Sequence, residues 1–335
     1  MSATSHRRAV FFALGLVLES GRAHASASNV WRRAANPRAA AREDAVSAAT
    51  AEHESYIRAA RVRAEAAVEH LARAHAAAKS GDLAGSTDPL ARYIVARLEL
   101  ASFELDRDVE RLERAGAHLR FVTIASERAA RIAPRSEAAA HEFRSLVLYD
   151  RAVVHAHRAE RRQEIAAYDD ALALETHPLR RAVLLANQAE ARLSLGDVSR
   201  AIRGYRTSLG ALPLVAVGAV GVTTLWGLGV ALDRSGDLDA ALSSIALARS
   251  YDSGDLALRG DGWFFVPAYD VHYYAALGHW QRARALAEPG AKHEALGRVA
   301  DELRAYLAKA PPDERWRPLA EVRLAQCERE RALPR

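Results

Sequence analysis

Cysteine is almost absent from this chain, which has one, Cys327, among 335 residues. A single thiol forms no intrachain disulfide and cannot supply the paired cysteines of zinc or haem sites. Aromatic residues are also scarce, at 7%, although 50% of the residues are hydrophobic. Alanine supplies much of that half, so we expect a core built by close packing of helices rather than by large side chains.

Strand patterns are missing as well. No long stretch alternates β-branched and polar residues, as a half-buried strand does. Alanine, leucine, arginine and glutamate are abundant, and all four favour helices. The sequence therefore predicts an all-α fold.

Lysine is the third scarcity. Lys79, Lys292 and Lys309 are the only lysines, so arginine supplies the other 44 of the 47 basic residues. The arginines alternate with acidic residues, as around Arg61 and Glu65, instead of forming a block. Such alternation is typical of solvated helix faces, so despite the net charge of +5 we predict no nucleic-acid partner.

Motifs of catalysis are also lacking. The sequence has no Gly-x-Ser-x-Gly elbow and no glycine-rich phosphate loop. The histidine pairs His70 with His75 and His155 with His157 have spacings that do not share a helical face, so no metal site is predicted. We predict a protein that is not an enzyme and has no cofactor. An enzyme whose site is scattered over several helices stays an alternative, because such a site leaves no local pattern.

Residues 1–27 have the pattern of a secretory signal peptide. Arg7 and Arg8 precede an uncharged apolar run, and small residues at Ala25 and Ala27 offer a cleavage site. The run is shorter than the about 20 residues that a bilayer crossing needs. We predict export to the periplasm or cell envelope. The alternatives are an uncleaved anchor and a plain N-terminal tail on a cytoplasmic protein.

The longest uncharged stretch runs from Ser208 to Leu232, and its length alone suits a membrane span. It contains Pro213 and five glycines, however, and its second half falls in the register of a repeat described below. We therefore interpret it as an apolar linker and a buried helix, and predict no membrane span in the mature chain.

Residues 28–135 are predicted to be helical, and whether they contain degenerate repeats is left open. The stretch from Ala39 to Lys79 has no proline or glycine and predicts one long helix or two. Two further helices are predicted from Leu90 to Ala115 and from Leu119 to Ile132, where Pro134 follows.

Residues 182–249 contain one skeleton twice. In each copy, small residues flank a Gly-Asp dipeptide, and a large apolar residue follows one helical turn later. The first copy consists of Leu185, Ala189, Gly196, Asp197, Ala201 and Tyr205, and the second of Leu225, Gly229, Gly236, Asp237, Ala241 and Ile245. This skeleton resembles the tetratricopeptide repeat (TPR), a helix–turn–helix unit.

Two weaker units flank this pair. The first spans residues 145–178 and has Ala159 where the turn glycine is expected, and the second runs from Trp263 to Ala287 with Leu277-Gly278 as its predicted turn. We therefore divide the chain into a signal peptide (1–27), an N-terminal helical region (28–135), TPR-like repeats (136–290) and C-terminal capping helices (291–335).

The resemblance implies a right-handed superhelix, or solenoid, in which the first helix of each unit lines a concave face. In the family register, that face includes Tyr149, His157, Glu190, Trp226, Asp233, Arg234 and His272. Aromatic residues and arginine are frequent anchors of interfaces, so we predict that Tyr149, Trp226 and Arg234 bind the partner. For Trp226, packing between repeats is an equally strong interpretation.

These features together predict a non-catalytic adaptor that binds a peptide or protein segment on the concave face. The alternative is a structural envelope protein that associates with itself. For one dense aromatic cluster we favour core packing over a docking patch, and its members are Trp263, Phe264, Phe265, Tyr269, Tyr273 and Tyr274.

Overall fold

The structure, a computed structural model, describes residues 37–61, 66–132, 137–212, 220–252, 254–255 and 267–332. Helices and the turns between them account for all of these residues, without a strand, which confirms the all-α prediction. The predicted signal peptide and the aromatic residues Trp263, Phe264 and Phe265 lie outside the described residues.

The described residues form thirteen α-helices and one short 3-10 helix. In the N-terminal half these are α1 (Pro37–Arg61), α2 (Ala66–Ser80), the 3-10 helix (Leu83–Gly85), α3 (Pro89–Asp106), α4 (Val109–Ile132), α5 (Glu137–His157) and α6 (Arg161–Leu174). In the C-terminal half they are α7 (Pro178–Ser194), α8 (Val198–Ala211), α9 (Val222–Arg234), α10 (Leu238–Tyr251), α11 (Asp270–Ala285), α12 (Pro289–Lys309) and α13 (Arg317–Ala332).

The chain divides into two compact units. The first consists of residues up to 158 together with 166–175, and the second of residues 159–165 together with 176 onwards. In the first unit α1 packs on α2, and α3 packs on α4. One apolar core joins α1, α2 and α3, with Tyr56, Leu71 and Leu98 among its members.

One predicted boundary in the first unit is wrong. The helix predicted from Leu90 to Ala115 is interrupted at Arg107, which has a left-handed backbone with φ of 60°. The side chain of Asp108 accepts a hydrogen bond from the backbone N–H of Glu110 at 3.0 Å, so a new helix starts there. That helix then continues to Ile132, so the predicted break between Ala115 and Leu119 is also wrong.

The second unit is built from helical hairpins. Its antiparallel neighbours are α7 with α8, α9 with α10, and α11 with α12, and α13 packs on α12. Successive hairpins also contact each other, α8 with α9 and α10 with α11. Helix α9 lies within the core, where every described side chain except that of Thr223 is buried.

Both predicted Gly-Asp turns are confirmed. Gly196 and Gly236 have φ of 83° and 97°, a left-handed conformation that strains any residue with a Cβ. The aspartate after each glycine caps the next helix. Asp197 accepts from the backbone N–H of Arg200 at 3.3 Å, and Asp237 from that of Ala240 at 2.9 Å.

A third turn lies at Ala159, between α5 and α6. Its φ of 58° places an alanine in the conformation that glycine occupies in the two strong units. The prediction that Ala159 stands at the turn position is therefore confirmed, and the turn keeps its shape at the expense of strain in an L-residue.

The turn predicted at Leu277-Gly278 is wrong, because Gly278 lies inside the continuous helix α11. A Cβ on Gly278 would lie 2.8 Å from Cη2 of Trp226 and 2.9 Å from Nη2 of Arg249. The glycine is therefore needed for close packing and not for a turn. The hairpin partner of α11 is α12, so the third hairpin of this unit extends beyond Ala287.

The described helices were also compared with the requirements of a bilayer crossing. None of them has both the length and the apolar composition that such a crossing needs. The uncharged stretch predicted to be a linker and a buried helix contains the end of α8 and most of α9, with residues 213–219 outside the described part.

Candidate functional site

Polar side chains from six helices and one linker converge inside the second unit, at a place otherwise surrounded by core residues. We name this cluster the polar junction. It consists of Glu190 of α7, Tyr205 of α8, Asp233 and Arg234 of α9, Asp270, Tyr273 and Tyr274 of α11, Tyr306 of α12, Glu314 and Trp316 of the linker before α13, and Arg323 of α13.

Asp233 is at the most deeply buried end of the polar junction, with 0% of its surface exposed. Its Oδ2 accepts a hydrogen bond from the hydroxyl of Tyr273, and its Oδ1 lies 2.8 Å from Nε and 2.7 Å from Nη2 of Arg323. The carboxylate and the guanidinium therefore neutralise each other in the core, and both oxygens of Asp233 accept hydrogen bonds.

Glu190 lies at the half-buried end. Its Oε2 accepts hydrogen bonds from the hydroxyls of Tyr205 and Tyr274, the latter at 3.0 Å. Burial, followed by the charge of Glu190, holds the pKa of both tyrosines well above the ordinary value, so both stay donors. No described residue donates to the second oxygen, Oε1, which leaves one acceptor of Glu190 unused.

Arg234 and Asp270 lie between these two ends. Their side chains are 0% and 6% exposed, and Nη2 of Arg234 donates to Oδ1 of Asp270 at 3.3 Å. The guanidinium carbon lies 4.9 Å from the ring centre of Trp316 and 5.4 Å from that of Tyr273. Nε and Nη1 of Arg234 are buried, and neither donates a hydrogen bond to any described residue.

The charge balance of the polar junction is negative. The pKa of Asp270 is raised to about 6, chiefly by burial, with the carboxylates of Glu190 and Glu314 acting in the same direction and Arg234 opposing them. Four carboxyl groups thus stand beside two guanidinium groups, and Asp270 carries its charge only above about pH 6.

Trp316 reaches the polar junction from the linker between α12 and α13. Glu314 fixes this linker by accepting from the hydroxyl of Tyr306 at 2.7 Å and from the backbone N–H of Trp316. Arg317 closes it on the other side, because Nη1 donates to the carbonyls of Leu307 and Ala310 at 2.7 and 2.9 Å. The indole N–H of Trp316 is buried and has no hydrogen-bond partner among the described residues.

Three of the seven side chains predicted to line the concave face, Glu190, Asp233 and Arg234, come together in the polar junction. Trp226 lies in the core next to it, with 0% of its surface exposed, and the guanidinium of Arg249 lies 5.5 Å from its ring centre. The structure therefore agrees with the alternative interpretation of Trp226, in which its side chain packs between the hairpins. Its role in binding stays a prediction.

His272 lies on α11 but bonds towards α12. Its Nδ1 lies 2.7 Å from Oε2 of Glu302, and its Nε2 lies 2.7 Å from Nζ of Lys309. It is 21% exposed, so its edge is open to solvent.

The two predicted residues of the first unit are buried. Tyr149 is 5% exposed and its ring centre lies 6.3 Å from that of Tyr168. His157 has a side chain that is 3% exposed, and its Nε2 lies 2.7 Å from Oε1 of the equally buried Glu104. Both side chains hold helices together here, and their role in binding stays a prediction.

Sequence reasoning missed Asp270 and Arg323, and it placed Tyr273 and Tyr274 only in an aromatic cluster. Core packing of these two tyrosines is confirmed, since both are 0% exposed. For Arg323 a signal was present. It stands at helical spacing between Ala320 and Cys327, on the buried face of α13, and a charge in an apolar stripe indicates a buried ionic partner.

Among the described residues, no three histidine, cysteine, aspartate or glutamate side chains lie together in a way that could hold a metal ion. No family model matches the chain, and no curated protein matches it.

Proposed function

We propose that the chain is a non-catalytic, TPR-like adaptor. In this proposal the hairpins of the second unit stack as a solenoid, and the face formed by the first helices α7, α9 and α11, with α13 after them, binds a peptide or protein segment. No cofactor takes part.

The observation that carries the proposal is the polar junction. The helices that the family register assigns to the concave face, α7, α9 and α11, supply six of the eleven residues of the polar junction, and α8, α12, α13 and the linker before α13 supply the others. Burying charged groups costs free energy unless they are paired and hydrogen-bonded, and two buried nitrogens of Arg234 have no partner among the described residues. The contacts of α8 with α9 and of α10 with α11 support repeat-like stacking.

Exposure divides the roles of the predicted residues within this proposal. Glu190 and His272 are half-buried and have atoms that a partner reaches, so they contact it. Trp226 and Asp233 are fully buried, and they act by fixing the helices that carry the contacting residues.

We further propose that the mature protein acts in the periplasm or cell envelope. The support is the charge and hydropathy pattern of residues 1–27. Intact-mass measurement on the protein from its native host tests this directly, because a cleaved chain begins near residue 28 and an uncleaved chain begins at residue 1.

The experiment for the adaptor is affinity capture with residues 28–335 from envelope and cytosolic fractions, read by mass spectrometry. Glu190→Gln is the test variant, since glutamine keeps the two tyrosine hydrogen bonds and removes the charge. Glu294→Gln is the matched control. It makes the same chemical change at a position on α12 that is 73% exposed and lies outside the polar junction.

We expect a discrete partner that the parent and Glu294→Gln capture and that Glu190→Gln captures less. If both variants capture the partner as well as the parent does, the assignment of the binding face to Glu190 is wrong. If neither fraction yields a partner, and sizing shows the chain bound to copies of itself, the structural alternative replaces the adaptor.

A further inference from the structure

Arg234 has more hydrogen-bond donors than the protein around it uses. A guanidinium carries five N–H groups, and that of Arg234 makes a single hydrogen bond with the described residues, to Asp270 at 3.3 Å. Nε and Nη1 are buried without a partner among the described residues. A buried charged donor without an acceptor is unfavourable, so the polar junction lacks an acceptor at this edge of Arg234.

Trp316 covers this guanidinium without supplying that acceptor. Its ring centre lies 4.9 Å from the guanidinium carbon, a favourable cation–π distance, but its own N–H is a second unused donor. Trp316 is only half-buried, and it belongs to a non-helical linker whose residues 311–313 are exposed. The indole can therefore leave this position by rotation of its side chain, while Glu314 and Arg317 keep the linker backbone in place.

The charges around Arg234 decide what kind of group would fit. A carboxylate ligand would meet Glu190, Asp233, Asp270 and Glu314 with only Arg234 and Arg323 to balance them. A neutral group that both accepts and donates fits better. Its oxygen accepts from Nε or Nη1 of Arg234, and its N–H donates to the unused Oε1 of Glu190.

We infer that the guanidinium of Arg234, which the Trp316 indole covers, forms with Glu190 a subsite for the side-chain carboxamide of an asparagine or glutamine in the bound peptide. In the ligand-free protein the indole closes this subsite, and the peptide displaces it. The inference rests on the proposed function, since it names the chemical class of the segment that the adaptor binds.

The test uses the mature chain labelled with 5-fluorotryptophan and ¹⁹F NMR. Trp316→Phe identifies the Trp316 resonance by its disappearance. The probes are three capped peptides of sequence Ala-Ala-Gly-X-Gly-Ala-Ala, in which X is glutamine, glutamate or leucine. Glutamate has the shape of glutamine with a charge, and leucine has a similar size without hydrogen-bonding groups.

We expect the glutamine peptide to shift the Trp316 resonance, with an affinity at least about tenfold above that of the other two peptides. Glu190→Gln keeps its tyrosine partners and should lower the affinity for the glutamine peptide, whereas Glu294→Gln should not. Trp316→Ala should bind the glutamine peptide more tightly than the parent in a direct calorimetric titration, because the closed state no longer competes.

A Trp316 resonance that no peptide moves, or that all three move equally, overturns the carboxamide subsite. Equal or weaker binding by Trp316→Ala overturns the role of the indole as a cover. Arg234→Lys offers a further check if it folds, but the test does not depend on that variant, since Glu190→Gln and Trp316→Ala change half-buried side chains.

The two proposals fail in different ways. If affinity capture yields a partner but the Trp316 resonance ignores the glutamine peptide, the adaptor stands and the subsite falls. If the glutamine peptide binds beneath Trp316 but no protein is captured, the subsite stands and the adaptor falls.

Discussion

Arg323 and Asp233 are separated by 90 positions in the chain and meet in a buried ion pair, with Nε and Nη2 at 2.8 and 2.7 Å from one carboxylate oxygen. The pair joins α13, the last helix, to α9 rather than only to its neighbour α12. Tyr273 donates to the other oxygen of Asp233, so removal of Arg323 leaves a buried charge with one neutral donor.

We therefore expect Arg323→Met to lower the free energy of unfolding by about 3–5 kcal/mol, the usual consequence of breaking a buried pair on one side. Chemical denaturation followed by circular dichroism measures this change. Arg329→Met is the matched control on the same helix. Arg329 is exposed, so its replacement should alter stability by less than about 0.5 kcal/mol. Equal effects of the two replacements would contradict the assigned ion pair.

Asp270 gives the second unit a pH-dependent stability of definite sign. Burial raises the pKa of Asp270 from 3.8 to about 6 in the folded protein. The folded state therefore binds more protons than the unfolded state between these values, and stability falls as pH rises through this window. The pKa shift corresponds to a loss of about 3 kcal/mol in the free energy of unfolding. This loss is complete above about pH 6.

Replacement of Asp270 by asparagine should remove this part of the pH dependence. Asparagine keeps an acceptor for Arg234 but does not titrate. The expected result is a flatter stability profile between pH 4 and 6 than that of the parent, measured by denaturation at each pH. Asp239→Asn, at a position 83% exposed, should leave the profile unchanged. An Asp270→Asn profile that overlays the parent profile would show that Asp270 does not titrate in this range.

Two helical glycines should respond to alanine with opposite signs. At Gly210 in α8 a Cβ would meet nothing within 4 Å, so Gly210→Ala should stabilise the protein by about 0.5–1 kcal/mol. At Gly278 in α11 the Cβ would meet Trp226 at 2.8 Å and Arg249 at 2.9 Å. Gly278→Ala should therefore destabilise by about 1–3 kcal/mol. Denaturant midpoints of the two variants measure both effects, and a stabilising Gly278→Ala would refute the close approach of α11 to Trp226.

Alanine substitutions at the two turn glycines distinguish the cost of backbone strain from the cost of a steric contact. Gly236→Ala places an alanine at positive φ with nothing within 4 Å, and it should destabilise by about 1–2 kcal/mol through strain alone. Gly196→Ala adds a collision, because its Cβ would lie 2.6 Å from Nη1 of Arg315.

We therefore expect Gly196→Ala to destabilise more than Gly236→Ala. Because Arg315 precedes Trp316, the Gly196 variant should also change the ¹⁹F resonance of Trp316, which the Gly236 variant should leave in place. A Trp316 resonance that is the same in both variants would mean that the linker does not depend on its contact with the Gly196 turn.

Local chemistry made much of the second unit predictable. The turns at Gly196 and Gly236 need glycine for their positive φ and aspartate for the cap. In both turns the two residues are adjacent in the sequence, so the pattern is easy to recognise. Gly278 shows where this reasoning fails. A glycine also serves close packing, and its partners Trp226 and Arg249 are far from it in the chain.

The polar junction was partly predictable for the same reason. The repeat register placed Glu190, Asp233 and Arg234 on one face, because that register is a local property of each hairpin. Their partners could not be predicted from spacing, since Tyr274 and Arg323 bond to residues 84 and 90 positions away. Asp270 was missed because it lies within an aromatic cluster, between Tyr269 and Tyr273, whose pattern indicates core.

The hydrogen bond of Tyr274 to Glu190 spans from the third hairpin of the second unit to the first, and that of Arg323 to Asp233 spans from the last helix to the second hairpin. An ideal repeat array has stabilising terms only between adjacent repeats, so it can fray from its ends one repeat at a time. Each of these hydrogen bonds joins two elements that are separated by a whole hairpin. Unfolding of one element therefore breaks a contact of the other, although the two are not neighbours in the array. The second unit should therefore melt in a single cooperative transition, and amide protons in α13 should exchange almost as slowly as those in α9.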